Sequence, residues 1–558
     1  MRNYDYNISL GACLRRVLCF LNAACLRRAV ANSSFFILHS SFYLLISCAS
    51  GPENPTKVNE TPAIYPDYVG VTIPAEIAPL NFNWAGEDAD RMDVVVRGSK
   101  GGTLHANGSY ADFDIDDWHE LTSQNKGGQL TFTICVERDG QWRQYRDFTV
   151  SVSPHPLGEW GLTYRRIAPG YEVFSHMGLY QRELSTFREE AIIENTQVPG
   201  MCVNCHTAHQ TNPSRFVFHV RGDHGATMVQ IEGQREWLKA GNNQLGGSMV
   251  YPYWHPSGRF CAFSTNQTRQ GFHITHYAVA DPSLHSSTLN PPPSTLHPQL
   301  SNGARIEVFD LSSDVFVYDP ATHEVITSPL LSTKDWSENC PVFSPDGKTL
   351  YYMTCRQQEY PMHYKDEKYN LCRISFDPST RRYGNRVDTL FNAVAMGKSL
   401  TWPRPSYDGR YLLFTLADYG YFSIWHEESQ QWLLDLKTGK ARELQEINSP
   451  RADSYHNWTV NSRWIVFTSR RDDGLYSRLY LACIDDNGHF SKPFMLPQRN
   501  PQEYYAESLY SFNTPDFTIR PARFDAHEAG GEITSDKRTE FILEGSGEGN
   551  SLEGSGER

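Results

Sequence analysis

Pro341-Val342-Phe343-Ser344-Pro345-Asp346-Gly347-Lys348, followed by Leu350-Tyr351-Tyr352-Met353-Thr354, decides how this chain folds. An apolar strand enters a Ser/Pro/Asp/Gly turn, and an aromatic-rich strand leaves it. The Asp-Gly pair supplies the positive φ of a tight hairpin, and the aromatic strands stack between neighbouring sheets. The unit recurs. Pro252 to Phe260 runs into Cys261-Ala262-Phe263-Ser264-Thr265, Pro403 to Arg410 into Tyr411-Leu412-Leu413-Phe414-Thr415, and His456 to Arg463 into Trp464-Ile465-Val466-Phe467-Thr468. Further strand pairs follow, such as Val315 to Asp319 and Trp432 to Leu436, making four strands per unit. Four-stranded units repeated in this way are the blades of a β-propeller. Another blade is expected at 214–235 and a closing one near Tyr504–Phe517, for about six in all. The propeller is expected over 236–520, with a low-complexity, disordered insert at 282–303 around Pro291-Pro292-Pro293.

Length and composition agree with a mainly β chain of more than one domain. The 558 residues are 13% aromatic, with 40 Gly and 32 Pro. Net charge is −13, and no Lys/Arg stripe stands out, so nucleic acid is not an expected partner. Alternating runs at Val69–Ile73, Met92–Val96, Leu130–Val136 and Phe148–Val152 predict a small antiparallel β-sandwich, Ig-like in size, over 62–155. Asp112, Asp114, Asp116 and Asp117 cluster there and read as a solvated loop, because the glycine of an EF-hand turn is missing.

Between these domains, in the segment 156–235, stands Cys202-Val203-Asn204-Cys205-His206. Cys-x-x-Cys-His is the pattern for covalent attachment of haem c. Cys202 and Cys205 would add to the porphyrin vinyl groups, and His206 would bind the iron from the proximal side. A structural zinc knuckle would need a second ligand pair, and no second CxxC exists. Met177 and His219 rank first as distal ligands, with a five-coordinate iron also open. Tyr180 to Glu190 has helical character, and Pro199-Gly200 places the motif at a turn.

Arg27-Arg28 precede an apolar stretch that ends in Leu45-Ile46-Ser47-Cys48, after which the chain turns polar. This is the layout of an export signal over 1–48 with a lipobox, in which Cys48 is acylated. A simple signal or uncleaved anchor is the alternative. Haem is attached to CxxCH outside the cytoplasm, so the two readings support each other. Residues 530–558 read as a flexible tail.

The repeats resemble the PD40, WD40-like propellers of TolB, most specifically at Phe343-Ser344-Pro345-Asp346-Gly347. Adding Met177 to Arg182, Cys202 to His206 and Tyr251 to Gly258, the chain from about 156 to 520 resembles a family of bacterial TolB-like lipoproteins with a c-type cytochrome motif. The resemblance implies a mono-haem cytochrome-like lipoprotein of the cell envelope. It would be membrane-bound through a lipid anchor and would exchange electrons with an envelope partner docked on the propeller. The alternative is a non-redox propeller scaffold that binds a protein or glycan. An enzyme is the weakest reading, since no second CxxCH and no G-x-S-x-G appears.

Overall fold

The computed structural model describes residues 52–168, 176–239, 245, 247–272, 306–360 and 363–543. Cys48 and the expected signal, the insert at 282–303, and residues 544–558 lie outside this set. All the elements below belong to one unit, Asn54–Arg558.

Each expected hairpin forms for a local reason. Gly347 takes φ 70°, its N–H bonds Ser344 O, and Asp346 accepts from Ser344 Oγ and the Lys348 N–H. The same arrangement recurs at Ser406-Asp408-Gly409, at Thr459-Asn461-Ser462 and, with a histidine first, at His255-Ser257-Gly258. Side-chain hydrogen bonds to the turn backbone are what Ser, Asp and Asn bring to such positions.

Among the described residues, five four-stranded sheets and one five-stranded sheet result, so the chain is a six-bladed β-propeller, as expected. Blade 1 joins Gly161–Ile167, Met177–Glu183 and Glu189–Glu194 to an inner strand, Ser511–Thr518, from the far end of the chain. That mixed blade closes the ring. Blade 2 is Cys202–His209, Asn212–Arg221, Ala226–Ile231 and Gln234–Lys239. Blade 3 begins at Ser248–Trp254, blade 4 at Trp336–Phe343, blade 5 at Ser399–Pro405 and blade 6 at Asp453–Trp458.

Three expectations are corrected here. Tyr180 to Glu190 is not helical. It spans parts of two blade 1 strands, whose flanking residues Leu179, Ile192 and Ile193 fill the cleft between blades 1 and 2, packed on Val203 and Phe218. The pentapeptide lies within a strand and not on a loop. The tail is ordered through Leu543: Ala526–Thr534 is a helix that buries Ala529 and Ile533, and Ile542–Leu543 adds in parallel to Glu324–Ile326.

The region 56–152 carries a seven-stranded and a three-stranded sheet. It also holds the helix Ile115–Gln124, and two of its strand pairings are parallel. Asp114 caps that helix, and Asp116 and Asp117 lie in its first turn, where the helix dipole favours carboxylates. Three of the four acids therefore start a helix, and Asp112 lies in the loop before it. The core of this region runs on into blades 5, 6 and 1 through Tyr68, Leu157, Leu413, Trp458 and Phe517.

Candidate functional site

The six inner strands share one irregularity. Each is bulged, and each bulge holds a non-glycine residue at positive φ: Cys205, Tyr251, Cys340, Trp402, Tyr455 and Thr514. Left-handed backbone costs a non-glycine residue about 1 kcal/mol or more, so a sixfold recurrence needs compensation. Packing on the axis supplies it at five of the six positions. Cys205, Tyr251, Cys340, Trp402 and Tyr455 share one apolar cluster, with edge-on ring pairs at Tyr251–Trp402 (6.2 Å) and Trp402–Tyr455 (4.9 Å).

Set in this register, the pentapeptide becomes one copy of the repeated strand. The residue after the bulge is Pro252, Pro341, Pro403, His456 and Pro515 in the other blades, and His206 in blade 2. Three positions before the bulge stand Ser248, Ser337, Ser399, Ala452 and Ser511, and in blade 2 Cys202. Blade 2 departs also at its hairpin, where Gln210 and Thr211 both take positive φ in a two-residue loop without Asp-Gly.

The motif residues are enclosed and point in different directions. Cys202, Cys205 and His206 are 3%, 8% and 6% exposed. Cys205 faces the axis, where burial raises its thiol pKa. Cys202 Sγ accepts from Arg165 Nη2 at 3.3 Å, and the same nitrogen donates to Met177 Sδ at 3.2 Å. His206 packs between blades 1 and 2, with its ring 6.1 Å from Phe216. Neither of its nitrogens closes a hydrogen bond, and burial lowers its pKa to about 4. His456 repeats this state in blade 6, at about 3.

The two distal candidates separate. Met177 comes beside Cys202 through their shared guanidinium. His219 turns to blade 3, with its Nδ1 2.9 Å from Thr227 Oγ1, which in turn donates to Met249 O of blade 3.

The donor types match a c-type site, but the packing does not fit a porphyrin. Among the described residues, no three His, Cys, Asp or Glu side chains come together to hold a metal. The cavity lined by Thr207 and Ala208 is about 20 Å³, roughly room for one water. A haem would require Cys202–His206 to leave the sheet.

Sequence reading missed the polar groups on the axis. Asp310 accepts from Asn266, Thr268 (2.8 Å), Asn339 (3.0 Å) and Tyr421 (3.0 Å), tying blades 3, 4 and 5, and burial raises its pKa to about 6. Towards the other end, Asp516 accepts from Thr207, the Ala208 N–H and Asn457, also at about 6. Arg404 stacks on Trp402 at 4.0 Å.

A larger cavity, about 450 Å³, opens where the N-terminal region meets blade 6. It is lined by Tyr65, Trp84, Asp472, Asp473, Gln502 and Tyr505, among others. The Tyr65 hydroxyl donates to Asp472 at 2.8 Å, and burial raises the Asp472 carboxyl. Trp84 is half-buried and leans on Tyr145 at 4.8 Å. Among the described residues, no helix is long and apolar enough to cross a membrane.

No protein-family model matches the chain, and no curated protein matches it. Among solved structures, it is similar to TolB from Acinetobacter baumannii, at 12% identity and TM-score 0.38, over 73% of this chain and 86% of that one. A putative TolB from Agrobacterium tumefaciens matches at 12% and 0.33, over 64% and 98%. Prolyl oligopeptidase B from Galerina marginata matches at 13% and 0.30, over 57% and 42%. The propeller assignment rests on the six sheets of the chain itself.

Proposed function

We propose that this chain is an exported binding propeller, tethered through Cys48, and that it takes a glycan in the cleft between its N-terminal region and blade 6. The 450 Å³ cavity carries this reading. Its volume falls in the range of small-molecule sites, and domain junctions are where such sites gather. Tyr65 and Trp84 offer ring faces for the C–H surface of a sugar, while Asp472, Asp473 and Gln502 offer hydroxyl partners. The test is calorimetric titration with a panel of neutral and amino-sugar oligosaccharides. Saturable binding that Trp84→Ala and Asp472→Asn each weaken at least tenfold supports the site. Binding untouched by both changes places the ligand elsewhere.

A second reading keeps the expected haem c on Cys202, Cys205 and His206, with electron transfer to an envelope partner. Two observations favour it: the orphaned nitrogens of buried His206, and the Met177 sulfur brought to Cys202. It requires haem attachment before the inner strand of blade 2 pairs. A pyridine haemochrome spectrum of protein made with a c-type maturation system separates the two readings.

A further inference from the structure

We propose that the Cys202 end of the propeller axis is an oxyanion-binding site held by Arg165 and Arg221. Arg221 lies directly across from Cys202 in the blade 2 ladder. Its guanidinium is close enough to Cys202, Cys205, Tyr251 and Tyr421 to interact with all four. Among the described residues it forms neither an ion pair nor a side-chain hydrogen bond. Arg165 reaches the same place from blade 1. Its Nη2 is spent on two sulfurs, both weak acceptors, and its buried Nε has no partner.

The neighbouring groups leave the donors of this pair unspent. Asp310 is the nearby acid, and its carboxylate already serves Asn266, Thr268, Asn339 and Tyr421. The phenols beside it, Tyr251, Tyr421 and Tyr455, are neutral in this setting, because burial pushes them up. Arg404, nearer the other end of the axis, is the internal contrast: it stacks on Trp402 and interacts with Asp516.

Both guanidinium groups are part-buried, neither forms an ion pair among the described residues, and each leaves fork-shaped donors unspent. A compact oxyanion accepts from both forks at once, in the geometry arginine favours for phosphate and carboxylate. The ligand class is therefore a phosphate- or carboxylate-bearing small molecule, and the site is independent of the cleft at Trp84.

The experiment titrates the full-length protein with inorganic phosphate and, separately, with acetate, each against sodium chloride at matched ionic strength. Thermal unfolding and calorimetry are the readouts. Saturable stabilisation by one or both oxyanions is expected, with chloride giving none. The preferred anion distinguishes a phosphate ligand from a carboxylate. Arg221→Gln should weaken binding at least tenfold, and Arg221→Lys, which keeps the charge and loses the fork, by a smaller factor. Circular dichroism checks that both variants fold, and if the glutamine variant does not, the lysine variant carries the test. No saturable effect in the wild type overturns the proposal, as does unchanged affinity in the folded variant.

Discussion

Cys205 and Cys340 stand at the same point of their blades: each is the left-handed residue of an inner-strand bulge, at φ 52° and 48°, and each lies in the axial cluster. The second cysteine of the pentapeptide thus has a counterpart in a blade without a CxxCH. What marks Cys205 is its place in the repeat.

The same register predicts an unusual tolerance. Cys202→Ser and His206→Pro put into blade 2 the residues most other blades use at those positions. Each should change stability by less than about 1 kcal/mol, the range of a substitution that makes no cavity, unpaired charge or strain. Urea unfolding of the two variants checks this. Insoluble or unfolded protein from His206→Pro would show that blade 2 does not follow the repeat.

Acid sensitivity provides a second test. Burial holds His206 at about 4 and His456 at about 3, against an ordinary 6.5. The stability tied to a neutral imidazole is complete above the unfolded value and falls as pH drops towards the folded one. In that window the unfolded chain binds a proton that the folded chain refuses. Asp310 and Asp516, raised to about 6, work the other way, so the wild-type profile alone is not diagnostic. The difference between wild type and His206→Pro isolates one imidazole. The variant should gain about 2 kcal/mol relative to wild type between about pH 6.5 and pH 4.5. A flat difference would mean that His206 is protonated, or exposed, in the fold.

Asp310 holds three blades together by accepting from four side chains. Asp310→Asn turns one acceptor oxygen into a donor facing other donors. We expect a loss of about 2–4 kcal/mol, the usual cost of leaving buried polar groups unsatisfied, read from urea midpoints.

The C-terminal segment works as a strap. Glu532 accepts from Arg235 and from Trp237 Nε1 (2.7 Å), while Ile533 and Phe541 are buried against blades 2 and 3. A chain stopped after Phe524 should lose about 3 kcal/mol or more, from the apolar burial of those two side chains alone. Unchanged thermal stability of the shortened chain would rule the strap out.

The propeller was readable because its hairpins are locally encoded. Ser344, Asp346 and Gly347 close their turn through their own side chains and backbone, with no help from distant residues. Blade 2 was not readable in that way. Its hairpin at Gln210 and Thr211 has no Asp-Gly, so nothing local marked the strand before it, and Cys202–His206 stood out as an isolated motif. A usable signal was nonetheless present: the column Pro252, Pro341, Pro403 and His456 extends to His206 and Pro515. The axial arginines and the cleft were out of reach for another reason. Arg165 meets Cys202 across two blades, and Tyr65 meets Asp472 across some 400 residues, so neither juxtaposition exists until the ring has closed.

The central claim is that the pentapeptide serves as an inner propeller strand. Its most direct test is a pyridine haemochrome assay on the full-length chain, produced alongside a c-type maturation system and checked for folding by circular dichroism. This account predicts β-rich, cooperatively unfolding protein with no covalently bound haem. Folded protein carrying one covalent haem per chain, lost on Cys202→Ala, would contradict it.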